Sequence, residues 1–297
     1  MSICTRRVRS ACLVVESLES RCTPAGQVAA VLSGTTLVIT GDALDNAIQV
    51  EDDPGGVLVS GLGGTLINGS TSVTFSGVHR LRIQMNQGND VVYLGGIPYG
   101  LTIAGSLTVD LGAGDDQLTI YDTDVGGSTT IRARAGDDVV AVNGGNTFNG
   151  SVIVHLEQGQ DNFATSDTNT FNRALRILGG AGSDAIFLQD NFTVNGTLEI
   201  QGGAGDENIL VGNLPGNWVR KLVVNTAAGN DFVQMSDLQV QTSATVLLGV
   251  GDDELQVINS TFGSSYFDGG PQLTNDIFND GGGNSFGSPS TIINFFP

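Results

Sequence analysis

The chain has 297 residues, of which 43 are glycine, 6% aromatic and 14% charged, and 12 Lys and Arg against 31 Asp and Glu give a formal charge of −19. That charge excludes a phosphate-backbone partner, because nucleic-acid binding needs basic stripes that displace counterions. So many turn formers with so little charge exclude a helical bundle and a disordered polyelectrolyte, leaving an all-β chain whose 40% hydrophobic content is mostly Val, Ile and Leu.

Residues 1–25 differ from the rest. They hold all three cysteines (Cys4, Cys12, Cys22) and four arginines against two glutamates, which leaves −21 for residues 26–297 and no disulfide for the body. Their apolar run, residues 11–15, is too short for a transmembrane helix. Leu18-Glu19-Ser20-Arg21 followed by Pro24-Ala25 resembles the Leu-Glu-x-Arg leader at the start of many bacterial surface and secreted proteins. The resemblance implies a targeting segment over residues 1–25 and an extracellular or cell-surface location.

Residues 27–80 carry short aliphatic runs (Leu37-Val38-Ile39, Ala47-Ile48-Gln49-Val50, Val57-Leu58-Val59, Val73-Thr74-Phe75) that read as degenerate first coils or an amino-terminal cap. Regular repeats occupy residues 81–262. Eight times an aliphatic strand, a Gly-x-Asp or Gly-x-Glu turn and a second aliphatic strand recur, with the turn acids at Asp90, Asp116, Asp138, Asp161, Asp184, Glu207, Asp231 and Asp253 and the turn glycines 22 to 26 residues apart. Residues 263–297 read as a frayed final coil and C-terminal cap, so that residues 26–297 form one domain. The only insertions lie near residues 97–101 and 214–221.

Taking each turn acid as position zero aligns the repeats. Seven before it stand Ile83, Val109, Ile131, Val154, Ile177, Ile200, Val224 and Val246; two after it stand Val92, Leu118, Val140, Phe163, Ile186, Ile209, Val233 and Leu255. Further apolar columns nine before and four after alternate with polar residues, the period-two signature of strands with one buried face. Phe148, Phe171 and Val194, ten after zero, predict a short third strand in some coils. Such columns are buried only if successive units stack in register, which predicts a parallel β-helix with coils of about 23 residues.

Gly179-Gly180-Ala181-Gly182-Ser183-Asp184-Ala185-Ile186-Phe187 resembles the Gly-Gly-x-Gly-x-Asp-x-aliphatic-x nonapeptide of the haemolysin-type (RTX) calcium-binding repeat family. Residues 202–209 are similar with Glu207 in place of Asp, and residues 112–118 and 249–255 lack the first glycine. The resemblance implies Ca2+ held by the eight zero-position acids; the family repeats its motif every nine residues, whereas this chain has one copy per coil. Stacking would set like charges about 4.8 Å apart, which invites a hard cation with oxygen ligands. Alternatively each carboxylate caps a turn by accepting backbone N–H bonds. A second polar column, six after zero (Asp122, Asp167, Asp190, Asn213, Asp237, Asn259), reads as a structural ladder.

Outward positions before the turn hold one patch with catalytic residue types. Asp110, Arg132 and His155 share a column, Arg134 stacks with Glu157, and Arg176 with Glu199. Such groups are simple cross-strand ion pairs, or the acids and bases of a polysaccharide lyase or glycoside hydrolase on a β-helix, with Asp110, Arg132, His155 and Glu157 as the machinery. The reading favoured by the sequence is a secreted or surface-attached calcium-binding solenoid with a structural or adhesive role, its partners calcium and a cell-envelope polysaccharide or matrix protein. The alternative is a carbohydrate-active enzyme, for which a cleft over that patch would be the mark.

Overall fold

A computed structural model describes residues 26–271 and 275–295; the leader expected over residues 1–25 lies outside the described residues. The chain winds as a parallel β-solenoid, as the columns predict, with no helix among the described residues. One sheet comprises the strands before each turn, among them Leu107–Ala113, Thr129–Ala135, Val152–Gln158 and Leu175–Ala181, paired in parallel one coil apart. A second sheet, of twelve strands, comprises those after each turn, including Val91–Gly95, Gln117–Tyr121, Val139–Asn143 and Asn162–Ser166. Every residue in the columns seven before and two after the turn is at most 1% exposed. Burying each Val, Leu or Ile contributes about 1.5–3 kcal/mol, and the columns deliver that coil after coil.

The third strand is present in more coils than the sequence indicated. Ile103, Val125, Phe148, Phe171, Val194, Val219, Val240 and Phe262 form one continuous stacked column. Phe148 and Phe171 stack face to face with centroids 5.2 Å apart. In Phe192–Ala204, Asn217–Ala228 and Leu238–Leu247 this strand runs on into the first strand of the next coil.

The amino-terminal segment is both coil and cap. Thr36–Thr40 and Ala47–Asp53 stack in parallel on the first regular coil. Gln27–Ser33, Gly56–Gly61 and Ser72–Phe75 instead turn back and pair antiparallel, covering sheet edges that would otherwise recruit further strands. At the other end the winding continues in register rather than fraying: Ile277–Asp280, Ser285–Phe286 and Ser290–Ile293 each pair with the coil before. Phe262, Phe267, Phe278, Phe286 and Phe295 close the core there with stacked and edge-on contacts.

Candidate functional site

The zero-position acids lie inside the turn, not on it. Asp90, Asp116, Asp138, Asp161, Asp184, Glu207, Asp231 and Asp253 are all 2% exposed or less. The Oδ1 of each of seven aspartates accepts the backbone N–H of the zero position one coil earlier, as Asp138 does from Asp116 at 2.8 Å and Asp161 from Asp138 at 2.8 Å; Asn46 donates to Asp90, and Asp276 accepts from Asp253. The ladder thus reaches one coil beyond the repeats at each end. Glycine is required two residues before zero because the preceding coil lies against it and, in every turn but that of Gly251, φ is positive: a Cβ on Gly136 would collide with the Gly114 carbonyl.

A second ladder, which the sequence reading missed, lies one residue earlier on the solvent side. Asn89, Asp115, Asp137, Asp206, Asn230 and Asp252 each cap the N–H of the following coil at 2.8–3.0 Å. The two ladders run in opposite directions along the stack. The inner acid reaches back one coil and the outer side chain reaches forward one. A mixture of Asn, Asp, Gln and Ser reads as ordinary turn chemistry in sequence, so only the repeat spacing could have flagged it.

Burial dominates the titration of the inner column. Desolvation pushes Asp90, Asp138, Asp184 and Asp253 up to about 6, and Asp116 and Asp161 to about 7, against the lowering effect of their N–H bonds. Neighbouring carboxylates add to the rise at Asp116 and Asp161. Glu207, one methylene longer, is pushed up to about 9, first by burial and then by the Asp231 carboxyl, which approaches it without reaching hydrogen-bond geometry. Both Glu207 carboxyl oxygens are unpartnered, as is Oδ2 of the seven aspartates.

Those second oxygens are the test of a calcium site. Calcium takes about six to eight oxygens at about 2.3–2.6 Å. Here each of the seven aspartates, though not Glu207, has one oxygen committed to a backbone N–H, and the zero-position carbonyls of Asp90, Asp116, Asp138 and Asp161 are spent on the next coil's N–H groups. The position five before zero, glycine in the calcium-binding nonapeptide, is filled by buried Met85, Leu111, Ala133, Leu156 and Leu248 in five coils. Among the described residues no three His, Cys, Asp or Glu side chains converge on a point where an ion could be held. Capping thus accounts for one carboxylate oxygen of each aspartate, and the other is left buried without a protein partner.

The column six after zero has a conformational role more than a bonding one. Asp122, Asp167, Asp190, Asp237 and Asn259 take φ of 47–58°, the left-handed turn that Asp and Asn tolerate best. Only Asn213 is seen to bond along the stack, accepting the Asp190 N–H at 3.0 Å.

Asp110, Arg132 and His155 do pair in register, and Arg134 lies beside Glu157. The ion pair, however, is diagonal: Arg134 grips Asp110 with two bonds of 2.9 and 2.6 Å, and Glu157 is 4.0 Å away on its other side. Arg176 and Glu199 pair at 3.3 Å. Arg134 and Glu157 adopt φ of 92° and 81° where other coils have Gly112, Gly180, Gly203 and Gly249. His155 is shifted down by burial and by Arg132, so it is neutral at pH 7. The principal cavities lie among residues 43–121, and Asp110, Arg132, His155 and Glu157 line none of them.

Comparison with protein-family models, with curated proteins and with solved structures gives no match. No helix among the described residues is long and apolar enough to cross a membrane.

Proposed function

We propose that this chain is a structural or adhesive β-solenoid carried outside the cell or on its surface, whose turn acids act as backbone caps rather than calcium ligands. The observation that carries this reading is the patch that the enzymatic alternative would use: its Arg134 is taken up by Asp110 and Glu157 in ion pairs, and these side chains line none of the principal cavities. A flat sheet offers rows of side chains at a fixed repeat, suited to holding an extended polymer or a neighbouring surface. The leader-like Leu18–Arg21 segment supports export. Cell-envelope polysaccharide and matrix protein are the partners in view.

The test is retention of the full-length protein on immobilised cell-envelope polysaccharide, with reducing ends and unsaturated sugars assayed in the eluate. Retention without product is expected. Product release that disappears in Glu157→Gln would replace adhesion with the carbohydrate-active enzyme.

A further inference from the structure

Two of the chain's four tyrosines, Tyr93 and Tyr121, line one hollow on the second sheet. Gln49, Tyr93 and Thr119 stand side by side on the outward face of three adjacent strands, Ala47–Asp53, Val91–Gly95 and Gln117–Tyr121. In the next row Tyr121 is paired with Gly95. Gly95 interrupts its side-chain column because a Cβ there would strike the Tyr121 carbonyl, and the gap leaves a hollow of about 250 Å3 lined by Gln49, Leu62, Tyr93, Gly96, Thr119 and Tyr121, among others. Tyr93 and Tyr121 are half-buried, and Tyr121 packs against Gly144 of the following coil, which fixes its ring.

The insertion that lengthens the first repeat interval, residues 96–100, forms the rim and carries Tyr99, half-exposed. Its C-terminal end is tied to Asp52: the Asp52 N–H donates to the Gly100 carbonyl at 2.8 Å and the Thr102 N–H to the Asp52 carboxylate at 2.9 Å. Gln49 is held by Glu51 at 3.1 Å and by the Gly95 carbonyl at 3.4 Å. The hollow is mostly apolar, walled by Leu62, Leu94 and the two tyrosines, with Gln49 and Thr119 as its polar residues.

We infer that this hollow binds one neutral hexose ring of a polysaccharide. A pyranose has an apolar C–H face that lies on an aromatic ring and a rim of hydroxyls that needs donors and acceptors; Tyr93 and Tyr121 suit the first, and Gln49 and Thr119 serve the second. Glu51 beside the hollow and the charge of −19 disfavour uronates and other anionic sugars. Beyond Thr119 the same column continues with Ala141 and Ala164 and then Phe187, a shallow trough along which the rest of a glycan chain can lie. This proposal takes its ligand class from the adhesive reading but fails separately from it.

The experiment is saturation-transfer NMR and calorimetry on the full chain with short oligosaccharides of glucose, mannose and N-acetylglucosamine. At least one series binds, more tightly as it lengthens, and Tyr93→Ala and Tyr121→Ala each weaken it about ten-fold. Tyr121→Phe keeps most of the affinity, and Asp110→Asn on the other sheet leaves it unchanged. If the alanine variants melt early, Thr119→Phe fills the hollow without removing a ring and must abolish binding. No saturation transfer from any series, or undiminished binding by Tyr121→Ala, overturns the proposal. Adhesion that persists while soluble sugars fail to bind refutes the pocket alone; sugar binding without adhesion refutes the adhesive reading alone.

Discussion

Replacing Glu207 by Asp isolates what the inner ladder contributes. In the folded chain burial and Asp231 raise this carboxyl from 4.5 to about 9. Each pH unit between folded and unfolded values is worth about 1.4 kcal/mol, so the ionised side chain costs on the order of 6 kcal/mol. An aspartate there should take the value of its neighbours, about 6 to 7 against 3.8, at a cost on the order of 3–4 kcal/mol. The sign follows from linkage: the folded pKa is raised, so the stability that protonation supplies is fully present below about pH 4.5 and is lost as pH rises through about 9. At pH 6 the variant gains a cap for the Asp184 N–H, about 1 kcal/mol, and loses a packed methylene worth about the same, so little change is expected. At pH 9 it should be more stable by about 2–3 kcal/mol, a rise in melting temperature of roughly 5–10 °C. Circular dichroism melts of both proteins at the two pH values measure it. A gain of equal size at pH 6 and pH 9, or a loss at pH 9, would refute the burial argument.

The rest of the ladder makes related demands. Asp138→Ala leaves the Asp116 N–H without its acceptor and should cost about 1–3 kcal/mol at pH 5, where the carboxyl it removes is mostly neutral; Asp138→Asn keeps the acceptor and should stabilise at pH 8, with the gain gone by pH 4, as melts across that range would show. Capping predicts the same melting temperature in millimolar calcium and in chelator; a rise with calcium would return the eight acids to the metal reading. Ile177→Asp places an unpaired charge in a fully buried column and should cost several kcal/mol by denaturant titration, whereas the exposed Ile97→Asp should cost little.

The core was legible because its columns keep a constant distance from the turn: Ile177 and Ile186 stand seven before and two after Asp184 as their counterparts do elsewhere. The third strand was only partly legible because its distance varies, nine residues after the turn acid at Val125, ten at Phe148 and twelve at Val219, the connecting turn absorbing the difference. The turn acids were found but their task was not decided, since a cap and a calcium site both ask for oxygen at the same spacing. The structure adds what the spacing did not carry, that one oxygen of each turn aspartate caps the neighbouring coil while the other is buried without a partner. The tyrosine hollow was hidden because Tyr93 and Tyr121 fall on successive coils at different distances from their turn acids.

The opposed ladders also fix how such a chain can change its length. Each cap spans one coil, no more and no less, so excising residues 139–161 would join Asp138 to Asn162 and present the Asp138 N–H to the Asp184 carboxylate where Asp161 had been. Removing half as many residues would misalign both ladders and expose every apolar column beyond the cut. The molecule is therefore measured in whole coils. A shorter or longer relative of it would differ by multiples of 22–24 residues, keeping the diameter of the rod and changing only its reach.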